Sequence, residues 1–174
     1  MMGKFILQLV LALSLLTTQA HAQNTDAQTR PIKPEEIIGT WGVVAFMPGS
    51  FGEKYPSSDY LTPSQIYGFY EDGHMRNLVS SENKQFNYNL EELEQRFGER
   101  PSTINYKFLA DGIVAITVDE KKEIGTLWQA HIITENHMIK DIPAQKGDLI
   151  MGMTPEKESE NDDFRYIRLM RKSK

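Results

Sequence analysis

Few residues in this chain have the chemistry to bind a metal ion or to move a proton. Histidine occurs at His21, His74, His131 and His137, and methionine follows two of these as Met75 and Met138. Met151 and Met153 add two thioethers on one face of a predicted strand. Imidazole and thioether ligands together suit Cu(I). His131 and His137 flank Glu135-Asn136, which reads as a two-residue turn between strands. Alternation then places the two rings on opposite faces of a sheet, so a shared ion is not expected. The methionines read as filling for an apolar interior. The chain contains no cysteine, which removes thiolate chemistry, disulfides and lipid attachment at a cysteine. It has no Gly-x-Ser-x-Gly, no His-Glu-x-x-His and no glycine loop of the phosphate-binding kind. The run Glu156 to Asp163 has the charge of a calcium loop but not its glycine or its alternating ligands. No catalytic residue, metal site or cofactor is expected, and the chain is not expected to be an enzyme.

Aromatic side chains carry the stronger signal. Tyr67 and Phe69 share one strand face; so do Tyr106 and Phe108, with Ile104. Trp128 shares a face with Ala130 and Ile132. If the sheet closes, one such face lines the inside. Tyr67, Phe69, Tyr106, Phe108 and Trp128 are therefore the candidate ligand-lining residues. A barrel of about eight strands is just wide enough for a filled core or for one small ligand, and both outcomes fit these positions.

The elements that must hold these residues are mostly short strands. Tyr67 to Met75 and Tyr106 to Val114 repeat one pattern: aromatic, any residue, Phe, two residues, Asp-Gly, then a new strand. Asp-Gly supplies the positive φ angle of a tight hairpin. Ile132 to Ile139 reads as a third hairpin, with Asn136 in the left-handed region. Strands are predicted at 39–47, 65–70, 74–80, 103–109, 113–119, 125–134, 137–141, 148–154 and 164–171. One helix is predicted at 90–97, packed on the sheet as a lid or plug. Asn89 and Glu92 form a capping box, Leu90, Leu93 and Phe97 share a face, and Gly98 with Pro101 ends it. Residues 48–64 form a long loop holding Phe51, Tyr55 and Tyr60, suited to gate a mouth. The expected fold is all-β: an antiparallel up-and-down β-barrel of about eight to nine strands with one short helix.

The chain begins with Lys4, an apolar run from Phe5 to Leu16, and Ala20-His21-Ala22. That order is expected of a secretory signal peptide over residues 1–22, with a periplasmic or secreted product. Such a product keeps no membrane anchor. Residues 23–33 are polar and aperiodic and read as a flexible leader; residues 34–174 read as one domain. The net charge of −5 argues against nucleic acid as a partner, because phosphate binding needs clustered Lys and Arg.

The segment Glu36-Ile37-Ile38-Gly39-Thr40-Trp41 resembles the opening of lipocalins and lipocalin-like domains. The resemblance implies a helical turn leading into a Gly-x-Trp strand, with the indole plugging one end of the barrel. It also implies an arginine from the last strand packed across that indole. Alternation on Arg165 to Arg171 puts Ile167, Leu169 and Arg171 on one face, which makes Arg171 the expected partner of Trp41. Three functions remain open, the least favoured being weak Cu(I) binding through Met and His. One is a container for a small, largely apolar molecule. Another is a module with a filled core that contacts another exported protein.

Overall fold

Asp72-Gly73 and Asp111-Gly112 bend the chain as their sequences dictate. Gly73 has φ 88° and Gly112 φ 71°, values that a side chain would disfavour. The computed structural model describes residues 28–47, 64–80, 86–118, 126–139, 141–154 and 167–173. The signal segment at 1–22, most of the aromatic loop (48–63) and the acidic run at 156–163 lie outside the described residues.

The elements are β1 (Thr29–Pro31), α1 (Pro34–Ile37), β2 (Gly39–Met47), β3 (Gln65–Phe69), β4 (His74–Val79) and α2 (Leu90–Phe97). They continue as β5 (Ile104–Ala110), β6 (Ile113–Val118), β7 (Thr126–Ile133), β8 (His137–Ile139), β9 (Ile142–Ala144), β10 (Leu149–Thr154) and β11 (Ile167–Lys172). The strands β2-β3-β4-β5-β6-β7-β10-β11 pair antiparallel in that order, and β11 returns to β2. The result is a closed antiparallel barrel of eight strands with one further strand outside it. Closure removes the exposed edges that an open meander would carry.

Three local expectations change. Residues 29–33 are not a loose leader. β1 pairs with β7 beyond the end of β6, and Ile32 donates to the Ala130 carbonyl and accepts from Gly112 N–H. Gly112 is required here twice, because a Cβ on it would stand 2.9 Å from Pro31 Cβ. Arg30 then forms a two-pronged ion pair with Glu36 at 2.6 and 2.8 Å.

The second change concerns β8. It does not fold back on β7. It pairs with β9 in a separate two-stranded ribbon, so His137 and His131 are not on facing strands. Asn136 uses its side-chain oxygen to accept the Lys146 N–H across the ribbon's base. The ribbon lies over the outer face of the barrel. Ile139, Ile142 and Ala144 pack there with Ile133, Leu169, Ala45 and Val44.

The third concerns α2, whose bounds and capping box match those expected from the sequence. It is neither lid nor plug. It lies against the outside of the wall, with Leu93 and Leu90 over Gly68 of β3. Arg76 of β4 pairs with Glu94 through two hydrogen bonds, and its guanidinium sits 4.7 Å from the Phe97 ring centroid. All of β3 is therefore buried on both faces. Among the described residues, no helix is long and apolar enough to cross a membrane.

A Cβ at Gly68 would meet Leu93 Cδ2 at 2.6 Å. Gly68→Val should therefore cost about 1–3 kcal/mol by overpacking, read as a lower urea midpoint. The Arg30 and Arg76 guanidiniums hold the Glu36 and Glu94 carboxyls down to about 2, from an ordinary value of 4.5. Between those limits the folded state binds fewer protons than the unfolded chain. The stabilisation is complete above about pH 4.5 and is lost as pH falls toward 2. Glu94→Gln should lower stability at pH 7 and make that acid slope shallower in denaturation curves followed from pH 7 to 3.

Candidate functional site

The two ends of the barrel differ. At one end lie the tight turns at Gly73 and Gly112, the β8–β9 ribbon that links β7 to β10, and α1. Trp41 lies there, 2% exposed, and its indole N–H donates to the Ile37 carbonyl at 2.7 Å. Pro34 at the first turn of α1 and Glu36, which accepts the Lys33 N–H, fix this short helix in place. Ile32, Ile37, Trp41, Leu149 and Met170 form the core of this end. The indole thus belongs to the packed core at this end.

The cation beside it is a different residue. Lys172 Nζ lies 5.3 Å from the Trp41 ring centroid, whereas Arg171 points away and pairs with the buried Asp148 at 2.7 and 2.8 Å. The cause is the facing of β11, on which Arg171 shares the outward side with Leu169. Leu169 pairs with Ala45 and Met170 with Val43, so Val44 is an extra residue in β2. Beyond the bulge Lys172 stands opposite Trp41 and Arg171 opposite Gly42. The face carrying Ile167, Leu169 and Arg171 looks outward, where Leu169 and Ile167 are covered by the ribbon region. The other face, with Arg168 and Met170, looks into the barrel.

Arg168 is the principal residue of the other half. It is only 9% exposed. Its Nε donates to the Tyr67 hydroxyl at 2.9 Å, and that hydroxyl donates to Gln65 Oε1 at 2.9 Å. Its guanidinium carbon lies 4.9 Å from the Trp128 ring centroid, 5.5 Å from Phe46 and 5.9 Å from Tyr67. The side chain therefore bridges the lumen from β11 toward β3 on one side and β7 on the other. Aromatic faces and a weakly hydrated planar cation suit each other in a desolvated place.

This half opens toward the end where β4 and β6 finish. Val79 and Val118 occupy inward-pointing positions there by strand alternation, yet they are 39% and 55% exposed. Trp41 at the sealed end is almost completely covered. Among the described residues, inward positions are thus buried at the base and more exposed at these two places.

All five predicted lining residues face the inside, and the structure sorts them into two groups. Phe69, Tyr106 and Phe108 pack on one another edge-to-face, with centroids 5.2 and 6.5 Å apart. The Tyr106 hydroxyl donates to the Tyr70 carbonyl at 2.7 Å, and burial pushes its pKa up to about 12. These three are part of the packed core. Tyr67 and Trp128 instead border Arg168. Sequence reasoning missed Arg168, Phe46 and Gln65. The available signal was the alternation on β11, which puts Arg168 opposite to Leu169, but it could not say which face was inside.

A second polar cluster lies outside the barrel under α2. His74 stacks on Tyr70 with centroids 3.9 Å apart, and its Nδ1 meets Asp72 Oδ1. Burial and the Glu94 carboxylate raise the Tyr70 pKa. These groups tie α2 to the β3–β4 hairpin. Among the described residues no three His, Asp or Glu side chains converge as metal ligands.

Tyr67→Phe keeps the ring and removes the hydroxyl that joins Gln65 to Arg168. It should cost about 1–2 kcal/mol in denaturant unfolding, more than a surface Tyr→Phe, because two buried polar groups lose a partner. The chain matches no model of a protein family, no curated protein and no solved structure, so the site is read from its own residues.

Proposed function

We propose that this protein is an exported, lipocalin-like container that binds a small, largely apolar molecule in the upper half of its barrel. One observation carries the reading. The barrel is closed, Trp41 is buried at one end, and among the described residues Val79 and Val118, inward by alternation, are exposed at the other. A filled core has no need of such asymmetry. Closed eight-stranded antiparallel barrels are compatible with the calycin type of fold that the Gly39-Thr40-Trp41 opening resembles. The apolar run and Ala20-His21-Ala22 at the start of the chain support export to the periplasm or beyond. Binding would draw on apolar and aromatic walls, with a few fixed polar groups setting orientation. The chain's chemistry supports no catalytic role in this reading.

The test uses the exported form purified from the periplasm. Native mass spectrometry should show a mass above that of the bare chain, or a population shifted by an added apolar probe. The same probe should change tryptophan fluorescence in the wild type, and most of that change should vanish in Trp128→Phe. A bare mass together with no fluorescence response would refute the container and leave a filled interaction module.

A further inference from the structure

Outside the barrel, on α2, two opposite charges stand at the spacing where they ordinarily join. Glu92 and Arg96 are one helical turn apart with the acid first, the order that favours an ion pair. Among the described residues no ion pair connects them. Each is held by something else. One Glu92 oxygen accepts the Asn89 N–H at 2.9 Å in the capping box, and the Arg96 guanidinium lies over the Tyr88 ring, 5.1 Å from its centroid. Both side chains line one surface cavity of about 340 Å³, together with Tyr88 and Gln95. We propose that this cavity binds a free α-amino acid with an apolar side chain, its ammonium group on Glu92 and its carboxylate on Arg96.

The walls are fixed before a ligand arrives. Leu93 is buried against Gly68, and the Tyr70 hydroxyl donates to the Leu90 carbonyl at 3.0 Å, so the first turns of α2 cannot shift freely. On the facing side the Thr40 hydroxyl donates to the Tyr88 carbonyl, and the Tyr88 ring stacks on Phe86 with centroids 5.8 Å apart. A site already in shape loses little freedom on binding.

The charges choose the ligand. A lone cation or a lone anion would be attracted by one of the two groups and repelled by the other, whereas a zwitterion satisfies both. The existing contacts need not break. The capping bond uses one Glu92 oxygen and leaves the second for an ammonium group. The contact with Tyr88 uses the face of the guanidinium and leaves its N–H edge for a carboxylate. The Gln95 amide offers a donor and an acceptor beside them. The Tyr88 ring supplies an apolar wall for the side chain. The volume is at the small end of the range for ligand pockets, which suits one amino acid rather than a peptide. The site lies outside the barrel interior and does not depend on the container reading.

The experiment is an amide NMR titration of the exported form at pH 6 and low salt with L-phenylalanine, N-acetyl-L-phenylalanine and L-phenylalaninamide. L-phenylalanine should move the signals of residues 86–97 with a Kd of about 1 mM. The two blocked forms, each lacking one charge, should bind about threefold to fivefold more weakly, the scale of an exposed ion pair. Glu92→Gln should remove the preference over the N-acetyl form and keep the preference over the amide. Arg96→Gln should do the reverse. Both side chains are exposed and glutamine also serves in a capping box, so both variants should keep the fold. Equal binding of all three compounds by the wild type overturns the proposal. So does a response confined to residues inside the barrel, or none at residues 86–97 at tens of millimolar. Loss of both preferences together in either variant overturns the assignment of the two poles.

Discussion

The pairing of β2 with β11 decides what the inside of this barrel is made of. It joins the first barrel strand to the last, so without it the sheet stays open. It also contains the bulge at Val44, where β2 gives two residues to one step of β11. That single extra residue switches the inward parity of β2. Trp41 and Val43 face inward below it, and Phe46 pairs with the inward Arg168 above it. An apolar plug and a polar layer can then occupy the same pair of strands. A bulge also increases local twist, which helps a short sheet curl into closure.

From that register follows the division of the interior. Toward the base, aromatic and aliphatic side chains fill the space, and the one indole N–H is satisfied by Ile37. Burying it unpaired would cost more than the bond returns. Toward the mouth the lumen holds a charge. A guanidinium in such a place needs hydrogen bonds and ring faces to offset lost hydration, and Tyr67 with Trp128, Phe46 and Tyr67's own ring supply them.

The outer surface of the wall is built as carefully as the inner. Gly68 makes room for Leu93, Arg76 and Glu94 fasten α2, and the β8–β9 ribbon covers Leu169 and Ala45. Several strands therefore carry apolar residues on both faces. This explains why alternation alone misassigned Arg171. Ile167 and Leu169 look like core residues because they are covered, but the cover lies outside the barrel. A period-two pattern reports burial and not which side is the lumen.

The residues by themselves determined what depends on neighbours along the chain. Asp-Gly turns at Gly73 and Gly112, the capped helix 90–97, and the alternation of Tyr67, Phe69, Tyr106, Phe108 and Trp128 are all local, and they specified a closed antiparallel meander with an aromatic inside. Contacts between distant parts of the chain decided the rest. The outward cover of Leu169 turned Arg171 outward and left Lys172 at the indole, the β7 edge beyond β6 recruited residues 29–31, and β9 drew β8 away from β7. Arg168 became interior only because β2 and β11 met in one register out of two, and a shift of one residue would have turned it to the outer face of the wall.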